Sequence, residues 1–203
     1  MKIIAMGAHP DDIEAQIGGT LAKLANDGAE ILLVAATATS TGALSSDLRD
    51  DEARRAAKCI GANFLSLGIS PDEFAYSRKY ISIFDDLFVS EKPNMVFTVN
   101  AMDSHHEHQF VAQCTRSASR KNSFSLVSLN QAFPGGVGAH SYNYFSNISD
   151  FHKQKMEAVM CYESQVKKYG QQWLDAIEAR DKSWGFNLGC SHAEVANIDK
   201  WIT

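Results

Sequence analysis

The chain has 203 residues and a formal net charge of -5, with acids and bases interspersed, enough for one sizeable domain. No block of Lys or Arg marks a nucleic-acid surface, and no apolar run approaches the roughly 20 residues that span a bilayer. The start, MKIIAMGAHPDD, lacks the cleavage pattern of a secretory signal, so the expectation is a cytoplasmic protein with no nucleic-acid partner and no stable membrane insertion.

The chain opens on a short apolar strand, KIIAMGA. From Asp12, the residues Ile13, Ile17, Leu21 and Leu24 recur at helical spacing until NDG closes the helix. AEILLVAATAT reads as a second strand, STGALSSD as a polar loop, and LRDDEARRAAKCIG as an Ala-rich helix ended by glycine. ANFLSLG is a third strand, followed by the loop ISPDEF. RKYISIFDDLFVSEK places Ile81, Phe84, Leu87 and Phe88 on one helical face, and PNMVFTV is a fourth strand. HEHQFVAQCTRSAS is then a helix and SFSLVSLN a fifth strand. Beyond residue 130 the pattern loosens. QAFPGGVGAHSYNYF reads as a loop with a short strand, and DFHKQKMEAVMCYESQVKKY and QQWLDAIEARDKSW read as terminal helices.

Near-continuous apolar strands alternating with helices predict βαβ units and a sheet buried on both faces. The expected fold is therefore α/β: a Rossmann-like, three-layer arrangement of a mostly parallel sheet flanked by helices. With no repeat, linker or composition break, residues 1–203 are expected to form a single domain. Cys59, Cys114, Cys161 and Cys190 are far apart and include no CxxC pair; three sit within helix-like patterns and read as small buried thiols, and the spacing does not point to a zinc site.

Open parallel sheets bind ligands beyond the carboxyl ends of their strands. The first strand delivers His9, Asp11 and Asp12 to that edge. The fourth delivers Asp103, His105, His106, Glu107 and His108. Taken alone, HPDD could be a turn in which Asp caps a helix and Pro opens it, and DSHHEH could be a polar helix start. Two such clusters at strand ends in one α/β domain point instead to a shared site, provided the two strands are neighbours. Imidazole and carboxylate are the ligands of catalytic zinc, which takes three protein ligands and leaves a position for water. Bound zinc brings that water's pKa to about 7, and a carboxylate outside the coordination shell can take its proton. On that reading the adjacent aspartates divide the work, one on the metal and one facing the water. Spacing alone does not choose among His105, His106 and His108. HExxH, GxGxxG and a P-loop lysine are all absent.

These residues resemble the PIG-L/LmbE-type zinc deacetylases, which remove N-acetyl groups from amino-sugar conjugates. AHPDDIEAQIGGTLAKLA is similar to the first motif of that family, and DSHHEH to its D-x-H-x-D-H motif, with His106 where the family often has Pro and Glu107 in place of Asp. Further similarities are LRDDEARRAA with Arg49 and Glu52, LGISPDEF with Asp72, KMEAVMCYESQ, and the late Ala-Glu pair of SHAEVANI. The resemblance runs from about residue 2 to 197. It implies that His9, Asp12 and His108 bind Zn2+, with other divalent metals also acceptable to such a donor set. It implies that Asp11 is the general base and later the acid, and that His105 stabilises the oxyanion or assists the leaving amine. Arg49 and Asp72 would contact substrate, and Asp103 and Glu107 would support the ligands from behind. The implied partner is a small-molecule amino sugar or glycoconjugate, and a homo-oligomer is left open. His140 could line the pocket; His152 and His192 are not expected to be ligands. The rival readings are an amidase or deacylase acting on another N-acyl conjugate with the same metal core, and a non-catalytic sugar- or nucleotide-binding α/β domain.

Overall fold

The computed structural model describes residues 1–37, 46–129 and 142–203. Its strands are β1 (Lys2–Gly7), β2 (Glu30–Ala35), β3 (Asn63–Ser66), β4 (Met95–Thr98), β5 (Ser125–Leu129), β6 (Tyr144–Asn147) and β7 (Ala193–Lys200). The helices are α1 (Asp12–Asn26), α2 (Ser46–Ile60), α3 (Arg78–Glu91), α4 (His106–Ala118), α5 (His152–Met160), α6 (Glu163–Tyr169) and α7 (Gln171–Leu188), with a single 3-10 turn at Pro71–Glu73. The strands form one sheet in the order β3-β2-β1-β4-β5-β7-β6. The first five are parallel, and β7 runs antiparallel between β5 and β6.

β1 shows why this sheet is buried on both faces. Successive side chains of a strand point opposite ways. Ile3 and Ala5 enter a core with α1 and α2, while Ile4 and Met6 enter a second core with α3 and α4. The chain leaves β1 for β2 on one side and later returns to β4 on the other, so the β1/β4 pair is the switch point of the topology. A crevice opens there beyond the carboxyl ends of the strands. The register Ile3↔Met95 to Met6↔Thr98 brings the ends of β1 and β4 side by side. The condition for the two polar clusters to meet is therefore satisfied.

Two features differ from the expectation of terminal helices after residue 130. The helix expected through residue 169 is divided at Tyr162, whose backbone leaves the helical region (φ -83, ψ 62). The Tyr162 ring is fully buried, and its hydroxyl donates to Glu14 Oε1 at 2.5 Å. Apolar residues continue across the break, so periodicity alone does not reveal it. Residues 193–200 form β7, which was not expected because Glu194 and Asn197 dilute its apolar signal. Glu194 is nonetheless buried, and its oxygens accept the amides of Gly19 (3.0 Å) and Thr20 (2.7 Å) in α1. Lys155 Nζ lies 2.7 Å from Glu194 and 2.6 Å from Asp181. This buried triad ties α1, α5, α7 and β7 together. Gly19 is required for the same junction, since a Cβ there would stand 2.8 Å from Ile148 Cδ1.

Candidate metal centre and catalytic site

The site begins where β1 ends. Asp11 precedes α1 with φ 100 and ψ -26, a left-handed conformation that an L-residue adopts at a cost of about 1–3 kcal/mol. The turn reverses the chain so that the Asp12 carboxylate folds back on it. Asp12 Oδ2 accepts the amides of Ala8 (2.9 Å) and His9 (2.8 Å). Oδ1 is left facing His108 Nε2 at 3.2 Å. His108 is buried in the first turn of α4, and its Nδ1 lies 2.9 Å from Asp103 Oδ2. Asp103 Oδ1 in turn accepts the His105 amide at 2.9 Å. With Nδ1 committed to a carboxylate, Nε2 is the nitrogen available to a metal, an arrangement common behind ligating histidines.

His9, Asp12 and His108 each offer a ligand atom within 4.8 Å of the others, and so do His9, His105 and Glu107. Two imidazoles and a carboxylate held by buried partners fit a divalent cation such as zinc. The protonation energetics have the matching form. Burial works against charge on His9, but the Asp12 hydrogen bond and Glu107 outweigh it and raise its pKa to about 9. Burial likewise opposes charge on His108, yet Asp12 and Asp103 raise it to about 10. Asp12 is held well below the usual carboxylate range, against its burial, by the same two histidines. The pocket thus has an excess of carboxylate over cation, and without a metal protons must compensate.

Asp11 behaves differently from its neighbour. Burial pushes it up to about 7; Arg49 pulls it down and the Asp12 charge adds to the rise. Arg49 is 2 % exposed. Its Nη2 donates to the Pro10 carbonyl at 2.5 Å and lies 3.4 Å from Asp11 Oδ1. The guanidinium also reaches Ser164 Oγ at 3.5 Å and lies 5.8 Å from the centre of the Tyr162 ring. Glu52 fixes the other side of this contact by accepting the Ser164 amide and hydroxyl at 2.8 and 2.6 Å. Arg49 therefore sits behind the general-base candidate, braced by α6.

The His105 ring stacks near His108 (centroids 4.8 Å) and meets His9 edge-on (5.0 Å). Its Nδ1 is buried and has no hydrogen-bond partner. Burial, with the charges of His9 and His108, lowers its pKa, which favours a neutral ring. Glu107 turns to His9 Nε2 in a short contact, so the extra methylene relative to aspartate carries it to the front of the site. His106 points outward with its side chain 76 % exposed. Asp72 lies in the exposed 3-10 turn, and no hydrogen bond or ion pair joins it to the cluster. His140 falls outside the described residues. Glu14, Tyr162 and Ser164 were not singled out from the sequence, although Ser164 lies in the KMEAVMCYESQ motif whose partner proves to be the Arg49–Glu52 helix.

Strand order and cluster together define an α/β protein with a His/Asp cluster that could hold a metal at its topological switch point. The chain belongs to the PIG-L family, described as GlcNAc-PI de-N-acetylase, which residues 4–119 match. It is 33 % identical over 129 residues to the uncharacterized deacetylase YaiS of Escherichia coli (strain K12), covering 58 % of this chain and 68 % of that protein. It is 25 % identical over 186 residues to the diacetylchitobiose deacetylase of Thermococcus kodakarensis, covering 81 % and 70 %. The structure superposes with a TM-score of 0.82 on the N,N'-diacetylchitobiose deacetylase of Pyrococcus horikoshii. There the identity is 21 % and the coverage 98 % of this chain and 84 % of the other, a likeness of fold. No helix among the described residues is long and apolar enough to cross a membrane.

Proposed function

We propose that this protein is a metal-dependent N-deacetylase that hydrolyses the acetamide of an amino sugar or glycoconjugate. The observation that carries the reading is the convergence of His9, Asp12 and His108 on one buried point, with Asp11 beside it. Membership of the PIG-L family and the deacetylase names of the relatives support the reaction class. His9, Asp12 and His108 would hold zinc, which when bound supplies a Lewis acid and lowers the pKa of water.

The chain's own groups do the rest. Asp11 takes a proton from the attacking water as its oxygen bonds to the acetyl carbon. Burial raises Asp11 above the usual carboxylate range, the direction that suits a group which takes and returns a proton. His105 donates a hydrogen bond to the developing oxyanion. Asp11 then delivers its proton to the amine nitrogen as the C–N bond breaks, leaving acetate and a free amino sugar. Asp103 keeps His108 in the tautomer that presents Nε2 to the centre.

The experiment is a mass-spectrometric screen of N-acetylated amino sugars and glycoconjugates with zinc-loaded protein. We expect loss of one acetyl group from at least one compound, and a drop of about 10²–10⁴-fold for Asp11→Asn with metal content unchanged. An inert, fully loaded wild type would remove the substrate claim. An Asp11→Asn protein of near-normal activity would remove the mechanism.

A further inference from the structure

A second group of potential ligands lies away from the site just described, where α5, α7 and the start of β7 meet. His152 opens α5, Glu178 is in the middle of α7, and His192 directly precedes β7. Each offers a ligand atom within 4.8 Å of the others. His152 Nε2 stands 3.2 Å from Glu178 Oε2, and His192 Nε2 stands 3.3 Å from Glu178 Oε1. Ligands placed tetrahedrally at about 2.0–2.1 Å around zinc are themselves separated by roughly 3.4 Å. The three donors are therefore near enough for side-chain rotation to bring them onto one ion.

A second, independent observation concerns His152 itself. The residue is 7 % exposed, and its Nε2 is buried with no hydrogen-bond partner. Glu178 (3.2 Å) and Asp181 (3.5 Å) are its ionic neighbours, two carboxylates facing one nitrogen. Buried polar atoms are nearly always satisfied, and an orphan of this kind asks for a missing partner. The charges around the group leave room for a cation. Asp181 and Glu194 are neutralised by buried Lys155, and Arg180 also reaches Asp181. The counter-charge of Glu178 is Lys182 in the next turn of α7, whose side chain is 60 % exposed and free to turn into solvent.

We propose that His152, Glu178 and His192 form a second zinc site that joins α5 and α7 to the start of β7. The two imidazoles now lie stacked, with centroids 3.8 Å apart and planes 14° from parallel. Zinc lies in the plane of each ring it binds, so binding would turn the partly exposed His192 out of the stack. Glu178 is one-third exposed, which leaves an open side for entry of the ion and for a water as fourth ligand. None of its three ligands has a part in the catalytic reading, and its zinc stoichiometry is read apart from activity, so the proposal does not depend on that reading.

The test is zinc stoichiometry and affinity on the full chain, by calorimetry and elemental analysis after chelation. Wild type should bind two equivalents per chain. His108→Ala should retain one, and His192→Phe and Glu178→Gln should each retain one while keeping deacetylase activity within roughly two-fold of wild type. Cobalt substitution of His108→Ala should give the visible absorption of a tetrahedral site, lost in the His108→Ala/Glu178→Gln double variant. Glu178→Gln changes neither size nor backbone, so it serves if His192→Phe does not fold. The proposal is overturned if His108→Ala binds no zinc, if Glu178→Gln still binds two equivalents, or if the second equivalent binds only at about millimolar free zinc, a free energy near 4 kcal/mol typical of adventitious sites.

Discussion

Replacing Arg49 with methionine would separate two roles that the same side chain could have. In the structure its guanidinium is buried and directed at the 10–11 turn, 2.5 Å from the Pro10 carbonyl and 3.4 Å from Asp11 Oδ1. Methionine fills most of the volume but removes the charge and every donor. A hydrogen bond from a charged donor contributes about 1.5–3 kcal/mol. The left-handed geometry of Asp11 holds about 1–3 kcal/mol of strain that the clamp helps to maintain. If about 1.5–3 kcal/mol of that positioning is lost at the transition state, kcat falls roughly 10- to 100-fold. KM should move little, and zinc content should not move, because Arg49 touches none of the proposed ligands except through Asp11. Arg49→Lys keeps the charge without the fork and should recover part of kcat. The assay is steady-state deacetylation of an N-acetylated amino sugar, with circular dichroism confirming the fold. A rise in KM at unchanged kcat would refute the reasoning. It would mean that the guanidinium turns outward to the substrate, as the family resemblance implies.

Other outcomes follow from the packing. Lys155→Met leaves Asp181 and Glu194 buried beside each other without their shared cation; urea unfolding should show a loss of about 3–5 kcal/mol, and a change below about 1 kcal/mol would mean the triad is dispensable. Gly185→Ala places a Cβ 2.6 Å from the Ser191 backbone and 2.7 Å from the His192 amide, so stability should fall by at least about 1–3 kcal/mol, whereas Gly18→Ala, whose nearest neighbour is Lys155 Cγ at the ordinary contact distance of 3.4 Å, should be far milder in the same urea unfolding. Cys114 is fully buried, and burial raises its thiol to about 12. It should resist thiol reagents at pH 8 until the protein unfolds. Because its folded pKa lies above its unfolded value of 9.0, its contribution to stability is whole below about pH 9 and is lost as the pH rises toward 12. Rapid native labelling of Cys114 would contradict this.

The parallel half of the fold was legible because each strand there is a near-continuous apolar run and each helix repeats with the helical period. The meeting of Asp11-Asp12 with the DSHHEH segment was legible because strand ends in this architecture face one edge of the sheet. Which of His105, His106 and His108 faces the cluster was not legible from spacing, since all three fall within one turn. Burial distinguishes them only once α4 is seated with His106 outward. Glu194 shows the reverse failure. A glutamate at the second position of a strand carries no local sign of burial, yet its partners are two amides in α1 and a lysine in α5, none of them near it in sequence. Long-range polar satisfaction of this kind leaves no local pattern. For the same reason Glu14 and Tyr162, which bond to each other behind the site, were passed over.

The anchoring of α1 by Glu194 also bears on how the protein matures on the ribosome. Every residue proposed to hold the catalytic metal has been synthesised once His108 is made, and β1 to β5 are complete once Leu129 is. The far half of α1, whose first residue is the proposed ligand Asp12, gains its carboxylate anchor only when Glu194 arrives. A nascent chain can therefore hold all the proposed donors long before the helix that carries one of them is braced. Metal captured before that moment would be held by an unanchored helix and exchange more freely than metal held by the finished protein.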